Sequence, residues 1–399
     1  MERGHLGRMR AGTHGKLGPG CVAPHYHLER AMPAHITRRK ALKLIAATTT
    51  AAALSPVFHA RAHYPVPAGL TGEPRTDSDI WTWMGRAIHT LAFYDQPSTS
   101  ATRLEVRTRD QTFPITRQVH APFSAHNDLW YETPLGYVHS AWVLPVRVFP
   151  PQPFIREIGE WGFWGEVSQP FTEAYAEPSP QSKKVYRFYG GTVYHIVDVF
   201  EDEYGTGWYK VFDEFPPTDP SHQWILARDV RRIPRAEMSP IHPFAGGKRI
   251  EVDLGKQSLI CYEGERIAFI TLVASGLGVS QLEDGTLVDL DTHTTEETWV
   301  LLKQPSRHMC NRPYPGGPPT YVTVFDLPGI PWNLFFDMSG TAIHGTYWHN
   351  DFGVRRSHGC LNVSIAAARW IYRWAYPVGG YKDDFIPGDW RVGTPISIV

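Results

Sequence analysis

The run Ser357-His358-Gly359-Cys360-Leu361-Asn362, with Ile343-His344-Gly345-Thr346 shortly before it, sets one thiol among two imidazoles. A thiol attacks carbonyl carbon as its thiolate, and a nearby histidine or helix N-terminus is what makes the thiolate accessible at neutral pH. These residue types at this spacing therefore point to covalent acyl transfer through Cys360. Gly359 adds backbone N–H groups that a side chain would otherwise crowd, where an oxyanion needs donors. Taken singly, a cysteine is more often an inert buried residue and a histidine a structural one. The same three side chains could also ligate zinc, but no further Cys or His pair at ligand spacing completes a tetrahedral set, so no metal and no cofactor is expected.

The elements that must hold these residues follow from the flanking pattern. Ser364 is a cap residue, and the alanines and apolar residues from Ile365 to Trp374 recur at helical spacing, so a short helix follows the nucleophile. The cysteine then sits near a helix N-terminus, whose dipole would favour the thiolate.

At these residues the sequence resembles the L,D-transpeptidase (YkuD-like) catalytic domain family, whose signature is a histidine, a variable loop, then Ser/Thr-His-Gly-Cys, a hydrophobic residue and Asn or Arg. The resemblance spans residues 247–399. It begins at Lys248-Arg249-Ile250-Glu251-Val252-Asp253-Leu254-Gly255-Lys256-Gln257 and continues through Val273-Ala274-Ser275-Gly276 and Ile330-Pro331-Trp332-Asn333. Two departures stand near where substrate would bind. The family's Thr-Pro-x-Gly-x-aromatic turn is reduced to Thr294-Thr295-Glu296-Glu297-Thr298-Trp299, and the loop between His344 and Ser357 is short.

The resemblance implies that Cys360 attacks the acyl donor and His344 takes the thiol proton, its ring oriented by the Gly345 carbonyl. His358 and the N–H groups around Gly359 and Cys360 would shape the oxyanion pocket, with Ser357 in support. The implied donor is a peptidoglycan stem tetrapeptide, which loses its terminal D-alanine before an amine of a neighbouring stem resolves the thioester. Thr346, Tyr347, Trp348 and Asn362 are the candidate substrate-binding residues, and ordinary packing is the competing reading for Tyr347 and Trp348. Hydrolysis by a carboxypeptidase or endopeptidase uses the same residues, and an inactive wall-binding protein would keep the fold without needing the thiol.

The chain has 399 residues, 42% of them hydrophobic and 13% aromatic, enough for two or three cores. Its first 62 residues carry 10 basic and 2 acidic side chains, which leaves 29 basic against 38 acidic in the remainder and argues against a nucleic-acid partner. Residues 1–62 read as a targeting leader. Arg38-Arg39-Lys40 precedes an apolar run from Leu44 to Leu54, too short for a membrane span, and Ala60-Arg61-Ala62 offers a cleavage site. The paired arginines resemble a twin-arginine signal, with Met32 an alternative start, and the expected location is periplasm or cell wall.

Cys261, Cys310 and Cys360 remain after the leader, so a nucleophile explains the odd thiol, while Cys261 and Cys310 could pair or stay buried. Residues 63–96 are unassigned apart from an expected helix around Trp81 to Ala92. Beyond them the expectation is a mainly β chain, with aromatic and β-branched runs punctuated by Gly, Pro and Asp. Leu129-Trp130-Tyr131 leading to Gly136-Tyr137-Val138-His139 is echoed by Gly207-Trp208-Tyr209 leading to Gln223-Trp224-Ile225. Both resemble SH3-like small β-barrels, placed at 97–150 and 165–236 and followed by a β-sandwich-like catalytic domain. They could bind the wall or act as a spacer. The Pro- and Gly-rich stretch from Gln304 to Thr320 is expected to hold no regular element. Oligomeric state is not legible.

Overall fold

The computed structural model describes residues 82–124, 126–213, 223–277, 279–281, 287–289, 297–310, 325–338 and 340–399. The expected leader lies outside the described residues. The chain is mainly β, and no helix among the described residues is long and apolar enough to cross a membrane.

The first β unit starts at Thr82. Strand Thr82–Ala87 pairs along its whole length with Val143–Val148, and Thr112–Pro114 flanks its other edge. A second sheet runs in the order Arg103–Arg107, Leu91–Tyr94, Gly136–His139, Leu129–Thr133, Arg117–His120. Trp83, Phe93, Phe113, Leu129, Tyr131 and Val138 fill the space between. The helix expected over Trp81 to Ala92 is therefore two strands. Apolar residues there fit both periods, and Leu91–Tyr94 alternates buried with half-buried side chains once its distant partners are supplied.

The second unit is one seven-stranded antiparallel sheet, from Phe163–Val167 to Val230–Arg232, around Phe163, Phe188, Ile196, Tyr209 and Ile225. Both units end alike. An aromatic strand pair is followed by a 3₁₀ turn, Ser140–Trp142 or Ala227–Asp229, and a last strand that returns antiparallel onto the unit's first.

The second unit is bolted to the catalytic helix by charge. Buried Arg231 donates to Glu237 through two N–H groups, each at 2.9 Å, and also holds Glu166, while Arg369 of the helix meets Glu237 from the other side. Burial pushes the Glu237 carboxyl up, but the arginines outweigh it and hold it down to about 2. A depressed carboxyl contributes stability that is present above its unfolded value and lost as pH falls through the folded one. Glu237→Gln should thus cost about 2 kcal/mol at pH 7 and flatten the acid limb of melting temperature against pH. An unchanged limb would refute the assignment.

Residues from 248 on form two facing five-stranded sheets. One runs Arg266–Leu272, Ser258–Glu263, Lys248–Asp253, Pro395–Ile398, Glu297–Trp299; the other runs Leu361–Val363, Ala342–Gly345, Asp326–Phe335, Leu302–Cys310, Ile386–Pro387. Ile250, Val252, Leu259, Ile343, Leu361 and Ile396 interdigitate between them, and helix Ile365–Trp374 closes the core with Ala367, Ile371 and Trp374.

The stretch from Gln304 is not irregular throughout, because Leu302–Cys310 is a strand paired with Asp326–Phe335. Pro305, which has no N–H to give, falls where the ladder skips from Gln304↔Asn333 to Ser306↔Pro331, opposite Trp332 at φ 62°. The rest of that stretch, 311–320, lies outside the described residues. Cys261 is a free thiol buried in the core, which is the second of the two readings the sequence left open for it.

Candidate active site

Ser364 caps the helix by accepting from the Ala367 N–H at 3.2 Å, as its sequence position predicts. The strand Leu361–Val363 stands between that cap and Cys360, and pairs in parallel with Ala342–Gly345 in the register Ile343↔Leu361, His344↔Asn362. This pairing sets Cys360 beside Ala342 and diagonal to His344. The segment Val273-Ala274-Ser275-Gly276 frames the other side: Ala274 bridges Asn362, and the Ser275 carbonyl accepts from Arg356 and Ser357 at 2.9 and 3.0 Å.

The turn carrying the thiol is tied by Ser357. Its Oγ donates to the Cys360 carbonyl at 2.5 Å and accepts from the Gly359 N–H at 3.1 Å. Gly359 has φ 148°, a backbone that L side chains rarely adopt, which accounts for glycine there. The Gly359 N–H is thus engaged by Ser357 instead of being open to an oxyanion. Ser357→Ala should slow acylation of Cys360 about tenfold, a loss of roughly 1.4 kcal/mol, and Ser357→Thr should restore it; equal burst rates for wild type and the alanine variant would exclude this role.

His344 is fully buried. Its Nδ1 lies 3.2 Å from the Gly345 carbonyl, so Nδ1 carries the proton and Nε2 presents a lone pair, with no hydrogen-bond partner of its own. Burial pushes this imidazole down to about 4, with the Arg307 charge adding to the effect. Burial also pushes the Cys360 thiol up, against the opposing influences of the Ala342 backbone and of Arg307. At neutral pH the two groups rest as thiol and neutral imidazole. Activation by the helix dipole does not prevail, because a strand separates cap and sulfur and desolvation is the larger effect.

The remaining candidates divide. His358 is exposed, its ring 5.3 Å from that of Phe325. Tyr347 turns inward: it is 2% exposed, packs with Ile88, Leu144 and Ile330, and donates its hydroxyl to the Pro328 carbonyl at 3.0 Å, so it is a core residue and not a wall for substrate. Trp348 stays half-buried with its ring 5.7 Å from that of His344. Thr346 is buried with its hydroxyl unpartnered, and Asn362 Nδ2 lies 3.0 Å from His349 Nε2. Gly345 is pressed between Pro331 and Ile365, where a Cβ would come within 2.9 Å of the proline ring. No cluster among the described residues could hold a metal ion.

Two residues escaped the sequence reading. Arg307 donates to the Gly340 carbonyl at 3.1 Å and acts electrostatically on both His344 and Cys360. It comes from Leu302–Cys310, which Asp326–Phe335 separates from the strand of His344, so no local signal marks it. His349, pushed down to about 3 by burial, is marked only by lying between His344 and Cys360.

No curated protein matches the chain. Solved structures similar to it include an L,D-transpeptidase from Xylanimonas cellulosilytica, 22% identical over 39% of this chain and 61% of that one, with a TM-score of 0.27. The catalytic domain of the E. faecium L,D-transpeptidase is 18% identical over 39% and 99%, with a TM-score of 0.26. An L,D-transpeptidase from Mycobacterium smegmatis is 14% identical over 51% and 98%, with a TM-score of 0.27. The chain thus spans about three fifths of the first of these. Residues 247–398 match the family model YkuD, the L,D-transpeptidase catalytic domain, and it is to this family that the domain carrying Cys360 and His344 belongs.

Proposed function

We propose that the protein is a peptidoglycan L,D-transpeptidase working through a Cys360 thioester. The observation that carries this reading is His344, whose tautomer is fixed by Gly345 so that a buried Nε2 is left unpartnered, on the strand paired with the one that directly follows the thiol. Cys360 Sγ attacks the stem carbonyl, the C–N bond to terminal D-alanine breaks, and the proton passes from sulfur through His344 Nε2 to the leaving amine. An amine of a neighbouring stem then displaces the sulfur. The oxyanion contact falls to the Cys360 N–H and His358, since Ser357 already holds the Gly359 N–H.

The two β units read as SH3-like modules, which their shared ending supports, and the basic leader directs export to the periplasm or wall. Incubation with disaccharide tetrapeptide followed by mass analysis tests the function. A cross-linked dimer supports transfer, a tripeptide alone means hydrolysis, and unchanged substrate would overturn both.

A further inference from the structure

The run from Tyr347 to Asp351, between the two catalytic residues, is gripped by the first β unit. Arg86, 2% exposed, donates from Nη2 to the Tyr347 carbonyl at 2.6 Å while Asp110 holds its Nη1 at 2.8 Å. Asn350 Nδ2 donates to the Ser140 carbonyl at 3.2 Å, and His126 Nε2 lies 3.0 Å from Asp351 Oδ1. The residues between these anchors face the chemistry, with Trp348 against the His344 ring and His349 against Asn362, two residues past the nucleophile.

We propose that the first β unit is a positioning element of the active site, and that Arg86 and His126 are positioning residues for acyl transfer by Cys360. This rests on the acyl-transfer reading and goes beyond it. A spacer needs no contact with the catalytic loop, whereas here the two residues that touch the machinery, Trp348 and His349, are flanked on both sides by anchored ones. Because His344 owes its low basicity to burial and Trp348 is one of its ring neighbours, loosening the run should let water in and raise the pH at which the base protonates. A displacement of about 1 Å in such a site can cost on the order of 10²-fold in rate.

The test uses the full chain and p-nitrophenyl acetate, whose burst of nitrophenolate reports acylation of Cys360 without assuming a wall substrate. His126→Ala and Arg86→Met should each slow the burst about tenfold or more and move its acid midpoint upward, while His126→Gln, which retains an N–H donor, should recover most of the rate. Folded variants with the wild-type burst and midpoint would overturn the proposal, even if their melting temperatures fall. Should Arg86→Met not fold, His126→Ala decides alone, its side chain being 31% exposed. A wild type with no burst would sink the acyl-transfer reading together with the proposal, and a burst without turnover of tetrapeptide would sink only the proposed substrate.

Discussion

Cys360→Ala should abolish turnover, a loss on the order of 10⁴-fold or more, while the melting curve barely moves. The sulfur is the atom that bonds the acyl group, so no neighbouring side chain substitutes for it. Its removal takes one atom from a turn that Ser357 continues to hold through backbone atoms, and the stability change should stay within about 1 kcal/mol. Intact-mass analysis after exposure to a carbapenem gives the same answer by another route, with an adduct on wild type and none on the variant. Turnover by the alanine protein, or the same adduct on it, would remove Cys360 from the mechanism.

The second large effect is expected at His344. Its alanine variant should acylate slower by roughly 10²–10⁴-fold, the usual contribution of a positioned general base. The pH dependence carries the sign. Only the unprotonated ring can accept the thiol proton, so the wild-type burst should hold through neutral pH and fail as pH drops through about 4. In His344→Ala that acid limb should vanish along with most of the rate. The thiol's own ionisation should move little, because the ring is already neutral where the sulfur deprotonates. His358→Gln should be mild by comparison, as it retains an N–H donor for the oxyanion. A loss as large at His358 as at His344 would mean that the base has been misassigned.

The candidate site was legible because it is written locally. Ser357, Gly359 and Cys360 are contiguous, the Ser364 cap and its helix follow at once, and His344 lies one strand away. What sequence could not deliver depends on partners far along the chain. The strands at Thr82–Ala87 and Leu91–Tyr94 exist because residues near 143 and 103 pair with them, and read alone they pass for a helix. Pro305 looks like a breaker until the ladder is seen to skip it. The thiol was expected to be acidic from its place before a helix, yet burial sets the balance, and burial is a property of the assembled core. Arg307 belongs to the same class, reaching the site across the sheet. The two β units were legible as aromatic strand pairs, whereas their grip on the catalytic loop was not, since neither His126 nor Asn350 belongs to any motif.

The sheet order of the catalytic domain also bears on how the protein is made. Strand Pro395–Ile398 lies between Lys248–Asp253 and Glu297–Trp299, parallel to the first and antiparallel to the second. Its neighbours therefore emerge from the ribosome long before it does and must wait with their inner edges unpaired. Closing so long a loop is slow, and slow assembly prolongs exposure of whatever the core will hide. Cys261 faces that core one strand away from the late arrival. During this interval its thiol and that of Cys360 are both open to oxidation and to each other, so reducing conditions protect the folding chain more than the finished enzyme.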